Sequence, residues 1–141
     1  MGPLQYFHES TLPRIHDIVW CRLLDAWGDP SGSVTPALVR GSERHPPTQR
    51  GALLLSLGTT KLDLNNCRHI DLVIQNYIRL EELNLPMAVR FDLGTTVWFP
   101  WAVEFFQPPT HSMYIVSGRL SGSEILRLRT RLQRRGIIQA L

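Results

Sequence analysis

Short apolar, β-branched runs alternate along this chain with dense clusters of turn-forming residues, and only the end keeps helical spacing. Ile18 to Leu24 (Ile-Val-Trp-Cys-Arg-Leu-Leu) is rich in residues that favour a pleated backbone and predicts a strand. The stretch from Asp25 to Val34 gathers Gly28, Asp29, Pro30, Ser31, Gly32 and Ser33 and predicts a loop with Trp27 near its tip. Thr35 to Gly41 predicts a second strand with Pro36 near its start, and Ser42 to Arg50, carrying Pro46-Pro47, a second loop. Ala52 to Leu57 is almost continuously apolar, as a strand covered on both faces requires. It is followed by a turn-like region at 63–66.

From His69 to Gln75 the apolar residues Ile70, Leu72 and Ile74 recur at every second position, and Ile78 to Leu83 suits one helical turn. Met87 to Leu93 and Thr95 to Trp101 predict two strands joined at Gly94 by a bend or bulge rather than a reversal. Residues 102–113 form a connection, and Tyr114 to Leu120 predicts a last strand. The end of the chain is different. Ser121 and Glu124 match a capping box, Ile125, Leu128 and Leu132 follow on one helical face, and Gly136 suits the stop. Arg127, Arg131, Arg134 and Arg135 then fall off the apolar stripe, as a solvated face beside the negative end of the helix dipole.

Many short strands and one terminal helix predict a mainly β protein: a small antiparallel β-barrel with a C-terminal α-helix over about 121–135. Residues 1–15 read as an N-terminal arm that packs little, and 16–136 as one domain. Leu-Gly-Thr-Thr occurs at 57–60 and 93–96 without a wider repeat, so duplication is not indicated.

Composition narrows the function classes. At 141 residues and 43% hydrophobic the chain can bury a core. It holds no apolar run long enough to span a bilayer, and its first residues lack a signal peptide, which points to the cytoplasm. Cys21 and Cys67 make neither a disulfide framework nor a zinc spacing, and His8, His16, His45, His69 and His111 show no metal-ligand pattern. No metal or cofactor is therefore expected. The net charge of +3 is mild, but Arg119, Arg127, Arg129, Arg131, Arg134 and Arg135 crowd the last quarter, which permits a polyanionic partner.

Candidate chemistry lies in Val89-Arg90-Phe91-Asp92-Leu93. On a strand Arg90 and Asp92 share one face, about 6.5–7 Å apart along the backbone. A proton acceptor beside a permanent cation suits acid–base work on a phosphate, and it is equally the pattern of a surface ion pair. Trp27, exposed on a loop, could stack on a base or fold back over the core.

The ordered segments resemble the MazF/PemK (Kid) family of toxin endoribonucleases. Asp17-Ile18-Val19-Trp20-Cys21-Arg22 is similar to that family's first strand, with His16 in place of the usual Gly. Thr35-Pro36-Ala37-Leu38-Val39 is similar to its Arg-Pro-Ala strand, and Ser56-Leu57-Gly58-Thr59-Thr60 to a strand ending in two hydroxyl residues. Arg90-Phe91-Asp92 matches the Arg-x-Asp of the PemK branch, and Gly118-Arg119-Leu120 closes the last strand before the helix. The resemblance covers about residues 16–134.

It implies an SH3-like barrel, a homodimer, that cuts single-stranded RNA without metal and is held in check by a cognate antitoxin. Asp92 would be the general base, Arg90 the acid or phosphorane stabiliser, and Thr59 and Thr60 hydrogen-bond donors at the scissile phosphate. Arg22, Lys61 and Trp27 complete the candidate substrate contacts, with base recognition expected from loops 25–34 and 61–68. One position departs from the pattern: the family's arginine before Pro-Ala is Thr35 here. Arg40 faces the other way from position 35 on an alternating strand, and Arg22 on the neighbouring strand is the remaining substitute. A barrel of the same fold that binds protein or nucleic acid without catalysis is the alternative.

Overall fold

The computed structural model describes residues 3–62 and 70–136. Seven strands and two helices follow in order: β1 (Asp17–Leu24), β2 (Pro30–His45), β3 (Arg50–Thr59), β4 (Leu72–Ile74), α1 (Tyr77–Glu82), β5 (Val89–Phe91), β6 (Val97–Pro100), β7 (Val116–Arg119) and α2 (Gly122–Arg134). The strands form one curled antiparallel sheet in the order β4-β5-β3-β2-β1-β7, a half-barrel with α2 as its C-terminal helix. No helix among the described residues is long and apolar enough to cross a membrane.

Both faces of the central strands are covered. Ile18, Trp20, Leu38, Leu72, Ile74, Val89 and Phe91 pack with Leu128 and Leu132 of α2 in one core. Val19, Cys21, Ala37, Val39, Leu53 and Leu55 pack with Phe99, Trp101 and Phe106 in another. Adjacent strand residues point to opposite faces, so Ile18 through Cys21 are all buried. The second cover comes from the segment after β6 and from the N-terminal arm. That arm packs against the sheet, contrary to the expectation that it packs little. Leu4, Phe7 and Leu12 sit against the second core, and Phe7 N donates to Trp101 O at 3.0 Å.

Two polar stretches expected as loops are largely hairpin. β2 runs on through Ser42–His45, paired residue by residue with Arg50–Leu53, so the loop shrinks to a turn at 46–49. Likewise β2 begins at Pro30, shortening the 25–34 loop. In a hairpin, backbone pairing with an adjacent strand outweighs weak side-chain preference. β3 shows the converse: Leu53 and Leu55 are buried while Ala52 and Leu54 are only partly covered.

β3 also decides where β5 and β6 lie. Both pair antiparallel with its second edge, β6 along Ala52–Leu55 and β5 at Gly58–Thr59. They run end to end, and the chain between them sidesteps at Gly94, as its sequence predicts. Gly58 is where β2, β3 and β5 converge. A β-carbon there would stand 2.6 Å from Pro36 O and 2.8 Å from Val89 Cγ1.

The capping box of α2 is present. Ser121 Oγ accepts from Glu124 N at 3.2 Å and Glu124 Oε1 from Ser121 N at 2.8 Å. Gly136 adopts a positive φ of 72° after the last turn, the left-handed stop that glycine tolerates. Glu124 also receives a two-pronged bond from Arg79 of α1, Nε–Oε2 2.9 Å and Nη2–Oε1 2.7 Å, which joins the two helices.

Burial alone would raise the Glu124 carboxyl. The Arg79 fork and the Ser121 donors outweigh it and hold the group below its ordinary value. A lowered native value contributes stability that is complete above the unfolded carboxyl range and is lost as pH falls through the native one. Urea midpoints measured from neutrality into acid should therefore drop less steeply for Glu124→Gln than for wild type. Gly58→Ala should lower stability by about 1–3 kcal/mol in the same assay, because backbone Pro36 O leaves no room for a methyl group.

Candidate active site

The site grows out of the far end of β3. Val89 and Phe91 face the α2-side core, so Arg90 between them points to the opposite face. Its cross-strand neighbours are Thr59 on β3 and Val73 on β4. Extending the β2–β3 register from Ala37↔Leu57 places Thr35 opposite Thr59. Thr35, Thr59 and Arg90 thus form one row across three strands. Thr35 Oγ1 is tied down, donating to Gly58 O at 2.9 Å.

Arg90 does not stand beside Asp92 as a surface pair. Its side chain is 8% exposed, with Nη1 2.5 Å from Asp71 Oδ2, and its Nε donates to Lys61 O at 2.9 Å. Asp71, 1% exposed, is the anion at the centre. Its Oδ1 accepts from Leu93 N at 3.0 Å and from Arg135 Nη2. Arg135 Nε reaches Ile70 O at 2.6 Å, which staples the end of α2 to the start of β4. A buried carboxylate persists only where opposite charge and hydrogen bonds replace its water, and here two guanidinium groups and a backbone N–H do so.

Asp92 lies one residue beyond β5, where the chain begins its sidestep. Its N donates to Leu57 O at 3.0 Å, and its Oδ1 accepts from Gly94 N at 2.9 Å. Oδ2 takes no hydrogen bond among the described residues. One oxygen is anchored and the other is open, a geometry suited to accepting a proton.

The remaining candidates divide. Thr59 Oγ1 accepts from Lys61 N at 3.2 Å, which fixes the bend that carries Thr60. Thr60 and the Lys61 side chain are exposed beside the row. Arg22 is paired with Val34, a residue of the α2-side core, and so belongs to the face opposite the row. Trp27 is 88% exposed on the turn between β1 and β2, five or more residues up the strand from Thr35, about 17 Å or more. The expected 61–68 loop falls outside the described residues from 63 onward, as do Cys67 and His69.

Asp71 and Arg135 are the members that periodicity does not reveal. Asp71 is marked in the sequence only by preceding the alternating Leu72-Val73-Ile74, and Arg135 falls among the arginines that helical spacing places on a solvated face. No family model matches the chain, and no curated protein matches it either.

Asp71→Ala would leave two guanidinium groups facing each other without their anion. Such a change should cost about 3–5 kcal/mol by urea unfolding. A loss below about 1 kcal/mol would show that the two cations find water instead.

Proposed function

We propose that this protein is a metal-independent endoribonuclease of the toxin type, acting on single-stranded RNA. What supports the reading best is Asp92, a carboxylate fixed through one oxygen and open at the other, beside the Thr35–Thr59–Arg90 row and a cationic cluster. The resemblance of the ordered segments to the MazF/PemK family adds to it. On this reading the fold is an SH3-like barrel that works as a homodimer in the cytoplasm, and an antitoxin protein restrains it.

Asp92 takes the proton from a ribose 2′-OH, and the freed oxygen attacks the adjacent phosphorus. The bond to the 5′ oxygen breaks, leaving a 2′,3′-cyclic phosphate and, after protonation from solvent, a 5′-OH. The hydroxyls of Thr59 and Thr60 donate to the phosphate. Arg90, held under the surface by Asp71, contributes positive potential rather than a proton. The requirement for a 2′-OH makes the reaction selective for RNA over DNA.

A second reading is a barrel that binds RNA or protein without cutting it. It draws on Thr35, whose hydroxyl is locked onto Gly58 O where the resemblance places an arginine. The two separate cleanly. Folded protein incubated with a long single-stranded RNA and EDTA should generate 5′-OH ends, and Asp92→Asn should slow this by about 10²–10⁴-fold. Intact RNA, with RNA or a protein partner still bound, would establish the binding module instead.

A further inference from the structure

Resting on the ribonuclease reading, we infer that Arg135, at the end of α2, is the guanidinium that contacts the scissile phosphate. Asp71 is a single anion shared by two arginines, so the cluster keeps one unit of positive charge. Arg90 spends Nη1 on Asp71 and Nε on Lys61 O, and its side chain is only 8% exposed. Arg135 spends Nε on Ile70 O and Nη2 on Asp71, and its side chain is 18% exposed. Its Nη1 makes no hydrogen bond among the described residues.

That free Nη1 lies against Gly94. A β-carbon at position 94 would overlap it and would stand 3.4 Å from Asp92 Oδ1. The bare glycine thus leaves space for a guanidinium edge beside the carboxylate. The pose is braced from both sides. Arg135 N donates to Arg131 O at 3.1 Å at the helix end, and Asp71 and Ile70 hold two of its side-chain nitrogens. A phosphate whose neighbouring 2′-OH meets Asp92 Oδ2 would bring a non-bridging oxygen within reach of Nη1. Preorganised donors of this kind stabilise developing oxyanion charge. Arginine suits the role because its charge is permanent and its donors are fixed in one plane. Arg135 forms no covalent bond in this scheme and releases no proton.

The test compares wild type, Arg135→Ala, Arg135→Lys and Gly94→Ala on a cleavable RNA and on the same RNA with one non-bridging oxygen at the scissile phosphate replaced by sulfur. Arg135→Ala should lower kcat by about 10²–10³-fold. The slowing that sulfur causes in wild type should disappear in that variant, because the contact it weakens is already gone. A merely structural arginine would lower the rate and leave the sulfur effect intact. Gly94→Ala should reproduce part of the kcat loss by displacing Nη1.

Should Arg135→Ala fail to fold, Arg135→Lys decides. Its ammonium can still neutralise Asp71 but cannot also present a second planar donor, so loss of kcat and of the sulfur effect in a folded Lys variant supports the assignment. Wild-type cleavage with an unchanged rate in the folded Arg135 variant, or with the sulfur effect fully retained, would overturn it and leave the ribonuclease reading standing. Absence of cleavage by wild type would remove that reading, and this assignment with it.

Discussion

A carboxylate out of reach of water has to be neutralised by the protein itself, and Asp71 imposes that condition on everything around it. Arg90 is drawn inward from β5 to one of its oxygens, while Arg135, drawn back from the end of α2, and Leu93 N both meet the other. Three parts of the chain distant in sequence are therefore fixed relative to one another by one side chain. Asp92 and Gly94 flank Leu93, so their positions follow from the same contact. Replacing a buried ion cluster with apolar groups of equal volume often leaves stability unchanged. Its value here lies in placement: it specifies where the open carboxylate and the spare guanidinium edge stand.

The sheet supplies the frame for that arrangement. β1 and the middle of β2 have no polar face because one core lies on each side of them. β3 contributes Leu53 and Leu55 to the second core, pairing with β6 along that stretch and with β5 where it emerges toward the polar end. The sidestep between β5 and β6 falls where the edge of β3 changes partner. Loops and strand ends of this sort are free of the packing constraints of the core, which is why polar chemistry collects there.

Much of this was legible from residue order. The alternation of apolar positions located β4 and β5, and the turn at Gly94 reads as a sidestep in both sequence and structure. Ser121, Glu124 and Gly136 marked both ends of α2, since a helix terminus leaves backbone groups that only certain residues satisfy. Alternation also put Arg90 and Asp92 on one side of the backbone, and it could not say which anion Arg90 would meet. Period-two reasoning orders side chains along one strand. It carries no information about an aspartate on another strand or an arginine at a helix end.

The sequence by itself determined the mainly β character, the terminal helix and the alternating apolar positions of β4 and β5, because these depend on local backbone preference and on spacing within a few positions. Tertiary structure alone decided that Asp71 joins Arg90 to Arg135, that Arg22 faces away from the Thr35–Thr59–Arg90 row, and that Gly94 leaves room beside Asp92. Those outcomes depend on which strands become neighbours and how a buried charge is compensated. Both are settled only when segments far apart in the chain are packed together.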